Sequence, residues 1–467
     1  MSLRRYLAAA LALLLLWGLS PARAASDPAA EYMVRYRESA ARLMESEGSV
    51  PFDVVSKSEL DRLLAQDLIE WYEEDGDAFL LDAEPEASLT GALSPYYDDA
   101  QWNLDMIGAD EAFQRNLLGQ GIRIGVIDSG VSPHPDFGSR LLSGYNYTPD
   151  AKSYELHNTE DLLGHGTRVA GLIAAAGDSG YIGAAPGAEI VPLKCTNSNT
   201  VKISAICQAI YDAIDMFGCT VLNLSLGVAT EYDALRDAIS YADKRGVVVV
   251  AAAGNGRKET LMYPACYDTV IGVGAVNGEG VVYANSNHNE SVFLTAPGVS
   301  VRTTSCQGGY TTGTGTSFSV PQVAAAAAVL LGIDGTLTSQ EIMDLLAQTA
   351  SDRGTPGYDE YYGYGILNVG GSAAILVGEP DPSEPCQFLP AEGTAVALRN
   401  NTGAELDCIY LLAEYSDDGA CRSVKTVPIT VPPWLTVAID APSGDVPFVQ
   451  IVCRAEDFTP LIPARTS

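Results

Sequence analysis

Basic residues are what this 467-residue chain lacks most: 27 lysines and arginines stand against 59 acids, a formal charge of −32. No basic stripe is left to hold a phosphate backbone, so nucleic-acid binding is excluded as a reading. Such acidity favours solubility and fits an exported or salt-tolerant protein, while naming no partner. Charged residues of both signs reach only 18% against 47% hydrophobic, so most of the chain is expected to fold into packed cores. Long apolar runs are equally scarce. Beyond residue 25 none approaches the roughly 18 uninterrupted residues of a membrane span, so none is expected in the mature protein. Histidines number four. No Cys-x-x-Cys or paired Cys/His spacing points to zinc, and neither an internal repeat nor a low-complexity tract is present.

What the chain does have begins at its start. "MSLRRYLAAALALLLLWGLSPARA" (1–24) carries two arginines, a short apolar core and a small-x-small end. That is the pattern of a secretory signal peptide, and it predicts a secreted, extracellular protein. Nine cysteines suit an oxidising destination. Four of them, Cys386, Cys408, Cys421 and Cys453, fall at the C-terminal end and allow two disulfides with three possible pairings. Cys195, Cys207, Cys219, Cys266 and Cys306 leave at least one unpaired if the two groups stay separate.

Residues 25–95 form a small acidic α+β unit, with "EYMVRYR" alternating as a strand, "KSELDRLLAQDLIEWYEE" patterned as a helix and "DAFLLDA" returning to strand. "PEASLTGALSPYYDDAQ" then reads as an exposed linker. Over 96–377, short, mainly apolar runs ("IRIGVID", "EIVPLKC", "VVVVAAAGN", "TVIGVGAVN") alternate with helical patterns. That combination predicts an α/β domain with a parallel sheet flanked by helices, its functional groups at the carboxyl ends of the strands. "GEPDPSEP" (378–385) is a linker. Residues 386–467 offer short strands with turn signals between them, the pattern of a small all-β sandwich.

Four residues fall where such a domain does chemistry. Asp128 ends "IRIGVID", and as an isolated acid it reads first as a helix cap. His165 stands between two glycines at the start of a small-residue helix, where alone it would more often be structural. Asn255 follows "VVVVAAAG", where a turn is the default. Ser317 precedes the buried helix "SVPQVAAAAAVLLG", with Pro321 expected in its first turn, and by itself it reads as an N-cap. Together, in this chain order, they fit roles. Ser317 attacks a carbonyl, His165 takes and returns the proton, and Asp128 holds the imidazole. Asn255 and the Ser317 backbone N–H would stabilise the oxyanion.

The blocks "VIDSGV", "HGTRVAG", "NLSLG", "AAAGN", "TAPGV" and "GTSFSVPQVAAAA" resemble the successive signatures of the subtilisin-like serine proteases, the subtilase family. The resemblance implies a seven-stranded parallel sheet and a serine endopeptidase working through an acyl-enzyme. It also implies that Ser225, Leu226, Gly227, Ala253 and Gly254 line a cleft that pairs with an extended protein or peptide substrate. Residues 25–95 are then similar to the family's propeptide, an intramolecular inhibitor removed by the enzyme itself, with the cut expected between Glu84 and Gln101. No cofactor is needed for the chemistry, and a monomer is expected.

Some positions depart from the family pattern. Phe318-Ser319 replace Met-Ala, Gln322 and Arg168 replace histidines, and Gly256 stands where some members carry an acid. Met262 falls near the floor of the first specificity pocket, which suggests an apolar residue before the cut. Asp136 and Asp178 match the region of a structural calcium site, although calcium needs six to eight oxygens and two acids supply few. Two alternatives stay open beside the general protease: a narrow-specificity processing enzyme, and a catalytically silent binding protein on the same fold. For the C-terminal domain, Tyr410, Tyr415 and Trp434 are either a binding patch or, the plainer reading, core aromatics.

Overall fold

Strands that are apolar on both faces need cover on both faces. The computed structural model describes residues 30–37, 50–81, 101–176 and 181–377, with 386–390, 396–400, 406–416, 421–431, 436–439, 448–454, 460–461 and 465–466 beyond them. The chain divides into two units, Met1–Gly76 and Asp77–Ser467.

In the second unit seven strands form one sheet, all neighbours parallel. From edge to edge they are Leu294–Pro297, Val270–Val276, Val248–Ala252, Val221–Leu224, Arg123–Asp128, Glu189–Lys194 and Tyr145–Asn146. The fold expected from the resemblance is therefore the one observed. Arg123–Asp128, first in sequence, lies inside the sheet. The chain goes first to the Tyr145–Asn146 edge, fills in Glu189–Lys194, and then crosses to build outward on the other side. That makes its carboxyl end the switch point of the sheet, where crevices open in α/β folds.

Two wholly or almost wholly buried helices pack at this crevice. Every residue of His165–Ala174 is buried. Thr316–Ile333 is long and apolar enough to cross a membrane, yet 89% of it is buried inside the protein, so it is a core helix. Its alanines and valines share one cluster with Val126, Val250, Val273 and Ala296 of the sheet. Small side chains let that helix lie close against the strands along its whole length. Amphipathic Asp233–Lys244 instead buries Ala234, Leu235, Ala238, Ile239 and Ala242, a single stripe at helical spacing.

The first unit is a three-stranded antiparallel sheet in the order Asp53–Ser56, Glu31–Tyr36, Ile69–Glu74. Helix Lys57–Ala65 is capped by the Ser56 hydroxyl, which accepts from Glu59 N–H. It buries Leu60 and Leu63 against Tyr32, Val34 and Ile69. Two expectations are corrected here. The helix stops at Ala65 rather than running through "IEWYEE", because Asp67 adopts a left-handed turn (φ 54°). Ile69–Glu74 then alternates buried and solvent-facing residues as a strand. "DAFL" is a strand, Asp77–Leu80, but it pairs within the second unit.

At the C-terminal end two antiparallel sheets, of three and four strands, are present. Cys386 and Leu398 from one share a buried cluster with Cys408, Tyr410, Leu412, Val431 and Val452 from the other. Tyr410 is thus a core residue, its hydroxyl accepting from Gln450. Trp434 lies outside the described residues.

Candidate active site

Asp128 and His165 meet at the switch point. His165 Nδ1 lies 2.7 and 2.9 Å from the two oxygens of the Asp128 carboxylate, with both side chains buried. The contact depends on a close backbone approach. A Cβ on Gly166 would fall 2.1 Å from the Gly130 carbonyl oxygen, so only glycine lets the start of this helix rest on the strand end. Asp128 is held by Ser129 N–H at 2.7 Å. Beside it, burial and the Asp128 charge push the Cys195 thiol well above its usual pKa, so it stays protonated.

One residue that sequence reasoning missed ties these parts together. Asp161, four positions before His165, is buried. Its Oδ1 accepts from Ser129 Oγ (2.8 Å), Leu163 N (3.0 Å) and Gly164 N (2.7 Å), and its Oδ2 from Thr167 N (2.8 Å) and Oγ1 (2.7 Å). A single carboxylate therefore clamps the loop beside Asp128 to the first turn of the His165 helix. An acid in "EDLLGHGT" was the available signal. Lys194 is nearby; burial lowers its pKa, an effect opposed by Asp161 and Glu160.

Ser317 is wholly buried and is the second residue of its helix, with Gly315 at the cap position. It is therefore not the N-cap. Pro321 also differs from expectation: it lies one full turn inside the helix rather than in the first turn. Its missing N–H leaves the Ser317 carbonyl without the usual i→i−4 bond. Ser225 Oγ supplies the replacement, donating to that oxygen at 2.9 Å. Gln322 serves a neighbouring role, donating to Phe318 O at 2.9 Å and Pro297 O at 2.6 Å.

The chain's own residues 77–81 fill the cleft. Strand Asp77–Leu80 is sandwiched antiparallel between Leu226–Gly227 and Thr200–Lys202. Leu81 N–H donates to Ser225 O at 3.2 Å. At the end of this run the Leu81 carbonyl oxygen accepts from Asn255 Nδ2 at 2.7 Å and from Ser317 Oγ. Asn255 is oriented for that bond because its own oxygen takes Thr316 N–H at 2.9 Å. Asp128 is thus in contact with His165, and Asn255 and Ser317 meet at the Leu81 carbonyl.

Ser225, Leu226 and Gly227 pair with the segment, while the Ala253 and Gly254 carbonyls are taken by Asn287 (3.0 and 2.8 Å). The second wall, Thr200–Lys202, was not anticipated; a three-residue segment in a polar loop carries no strand signal of its own. A Cβ on Gly227 would sit 3.2 Å from Leu81 Cδ1 and 3.3 Å from Met262 Cε, which sets Met262 beside the Leu81 side chain.

Of the two acids matched to a calcium region, one is described. Asp136 is buried and accepts the Tyr310 hydroxyl at 2.6 Å, with His134 Nδ1 at 3.6 Å. Asp178 lies outside the described residues. Among the described residues no group of three His, Cys, Asp or Glu could hold a metal.

The model of the subtilase family matches residues 119–365. This chain belongs to the subtilase family. It is 35% identical over 270 residues to "Subtilisin Savinase" of Lederbergia lenta, covering 57% of this chain and 96% of that one. It is 29% identical over 362 residues to the "Thermostable alkaline protease" of Halalkalibacterium halodurans, covering 76% and 95%. With the "Minor extracellular protease Epr" of Bacillus subtilis (strain 168) it shares 35% over 272 residues, 57% of this chain but only 41% of that longer protein. The chain is accordingly a serine-type endopeptidase, and a subtilase needs no cofactor for catalysis.

Proposed function

We propose that this subtilase is secreted as a precursor and cuts its own chain between Leu81 and Asp82. The observation that carries the reading is the Leu81 carbonyl, held by Asn255 Nδ2 at 2.7 Å and touched by Ser317 Oγ. The cut so assigned lies upstream of the Glu84–Gln101 window expected from sequence. Ser317 Oγ adds to the Leu81 carbonyl carbon as its proton passes to His165 Nε2, and Asp128 stabilises the resulting imidazolium. Asn255 Nδ2–H and the Ser317 backbone N–H take the oxyanion, aided by the helix N-terminus. Collapse expels the Asp82 amine, which takes the proton back from His165. Water then hydrolyses the Leu81 ester by the same route.

After the cut, residues ending at Leu81 remain paired along both edges of the cleft and act as its inhibitor until they leave. Within the strand Ala78 and Leu80 are buried while Asp77 and Phe79 are exposed. Substrates are therefore expected to carry apolar residues first and second before the cut and a small one fourth. Casein hydrolysis, blocked by phenylmethylsulfonyl fluoride with one adduct on Ser317, tests the reading. Hydrolysis that persists in Ser317→Ala would overturn it, and hydrolysis of one dedicated substrate but not casein would favour the narrow processing enzyme.

A further inference from the structure

Beyond these apolar positions the cleft continues to a cation. Asp77 and Lys202 are direct partners in the register of the occupying strand. Lys202 Nζ lies 3.1 Å from Asp77 Oδ1, the two side chains 32% and 46% exposed. The pair opens on a cavity of about 360 Å³ lined by Asp150, Thr196, Ser198, Thr200 and Lys202 among others, and Lys202 is the only cation among its described lining residues. The walls are fixed in place: Thr196 Oγ1 bonds to Ser198 O at 3.0 Å, and Thr200 N–H to Ser198 Oγ at 3.2 Å.

Local helix chemistry gives no reason for a lysine here. Lys202 occupies the N-cap of helix Ile203–Asp215 and makes no side-chain cap bond. Ser, Thr, Asp or Asn would serve that position better, and a cation opposes the positive end of the helix dipole. Its partner is instead the acid of the occupying strand, Asp77.

We propose that Lys202 makes the cleft select protein substrates with Asp or Glu at the fifth position before the cut. This rests on reading residues 77–81 as the stand-in for a substrate. The chain is strongly acidic, with a charge of −32 before processing, which disfavours acidic peptides at long range, and Asp150 stands at the same cavity. A lysine at contact distance is what turns acid from disfavoured to preferred at this one position. Because the pair is substantially exposed, the preference is modest: ion pairs of this kind are worth roughly 1.5- to 5-fold in affinity.

The test compares kcat/KM for three fluorogenic peptides, Xaa-Ala-Phe-Leu-Leu joined to a common leaving segment, with Xaa as Asp, Asn or Lys. For the processed wild-type enzyme the expected order is Asp, then Asn, then Lys, with the Asp/Asn ratio in the range above and shrinking at high salt. In Lys202→Glu the order inverts. Because each ratio is internal to one enzyme, a general loss of activity in the variant does not obscure it, and the salt dependence needs no variant at all. Equal rates for all three peptides, or a ratio indifferent to salt, would overturn the inference while leaving the protease reading intact. No cleavage of any peptide after Leu would overturn that reading and the inference with it.

Discussion

Gly227 offers the sharpest handle on specificity. Its backbone runs beside Leu80 and Phe79 of the occupying strand, and an added Cβ would meet Leu81 Cδ1 at 3.2 Å, Met262 Cε at 3.3 Å and Tyr263 O at 3.3 Å. One methyl group can be absorbed, because two of those atoms end flexible side chains. Gly227→Val adds two further carbons in the same direction and takes the space of the Leu81 isobutyl group. Going from Leu to Ala removes three carbons, worth about 0.8 kcal/mol each when fully buried. Leu81 is only partly buried, so the loss should be about 1–2 kcal/mol, or roughly 5- to 30-fold. The assay is the ratio of kcat/KM for peptides ending Ala-Phe-Leu-Leu and Ala-Phe-Leu-Ala before the cut. The wild type should favour the first, and Gly227→Val should lower the ratio by that factor through loss on the Leu peptide. An unchanged ratio would refute the placement of the Leu81 side chain against this wall.

Other positions yield further expectations. Asn255→Ala removes the donor to the Leu81 carbonyl; the same loss in a subtilisin costs roughly 10²- to 10³-fold in turnover, and single-turnover rates should fall by that order with KM little changed. Asp161→Ala orphans the N–H groups of Leu163, Gly164 and Thr167, each costing roughly 1–3 kcal/mol when buried, so the melting temperature should drop steeply. Asp161→Asn, which keeps one acceptor oxygen, should fold better yet lose kcat more than KM, as misaligned His165 would require; normal kcat in that variant would remove Asp161 from the positioning machinery. Deleting residues 378–467 should leave peptide hydrolysis in place, because the C-terminal sheets have their own buried cluster; abolished hydrolysis in a folded, monomeric product would show the opposite.

Much of the sheet in the second unit was legible because its strands are buried along nearly their whole length, with apolar residues on both faces. Asp128, His165, Asn255 and Ser317 were legible for a related reason: each ends a strand or begins a helix, so chain order alone brought them to one edge of the sheet. What could not be read depended on partners distant in sequence. "IEWYEE" satisfies a helical pattern as well as an alternating one, and the left-handed Asp67 that decides between them carries no strong signal. "DAFL" reads as a strand, but nothing in it says which sheet it joins. Thr200–Lys202 is too short to announce itself until the occupying strand lies beside it. Pro321 looked like a first-turn residue; its effect is to free the Ser317 carbonyl for Ser225, a contact 92 residues away in sequence.

On the proposed mechanism Ser317 cuts the bond after Leu81. Intact mass and N-terminal sequencing of the secreted wild type and of Ser317→Ala test it directly. The wild type should begin at Asp82, and the variant should retain its residues upstream of Leu81. A wild-type N-terminus between Glu84 and Gln101, or identical processing of the two proteins, would contradict it.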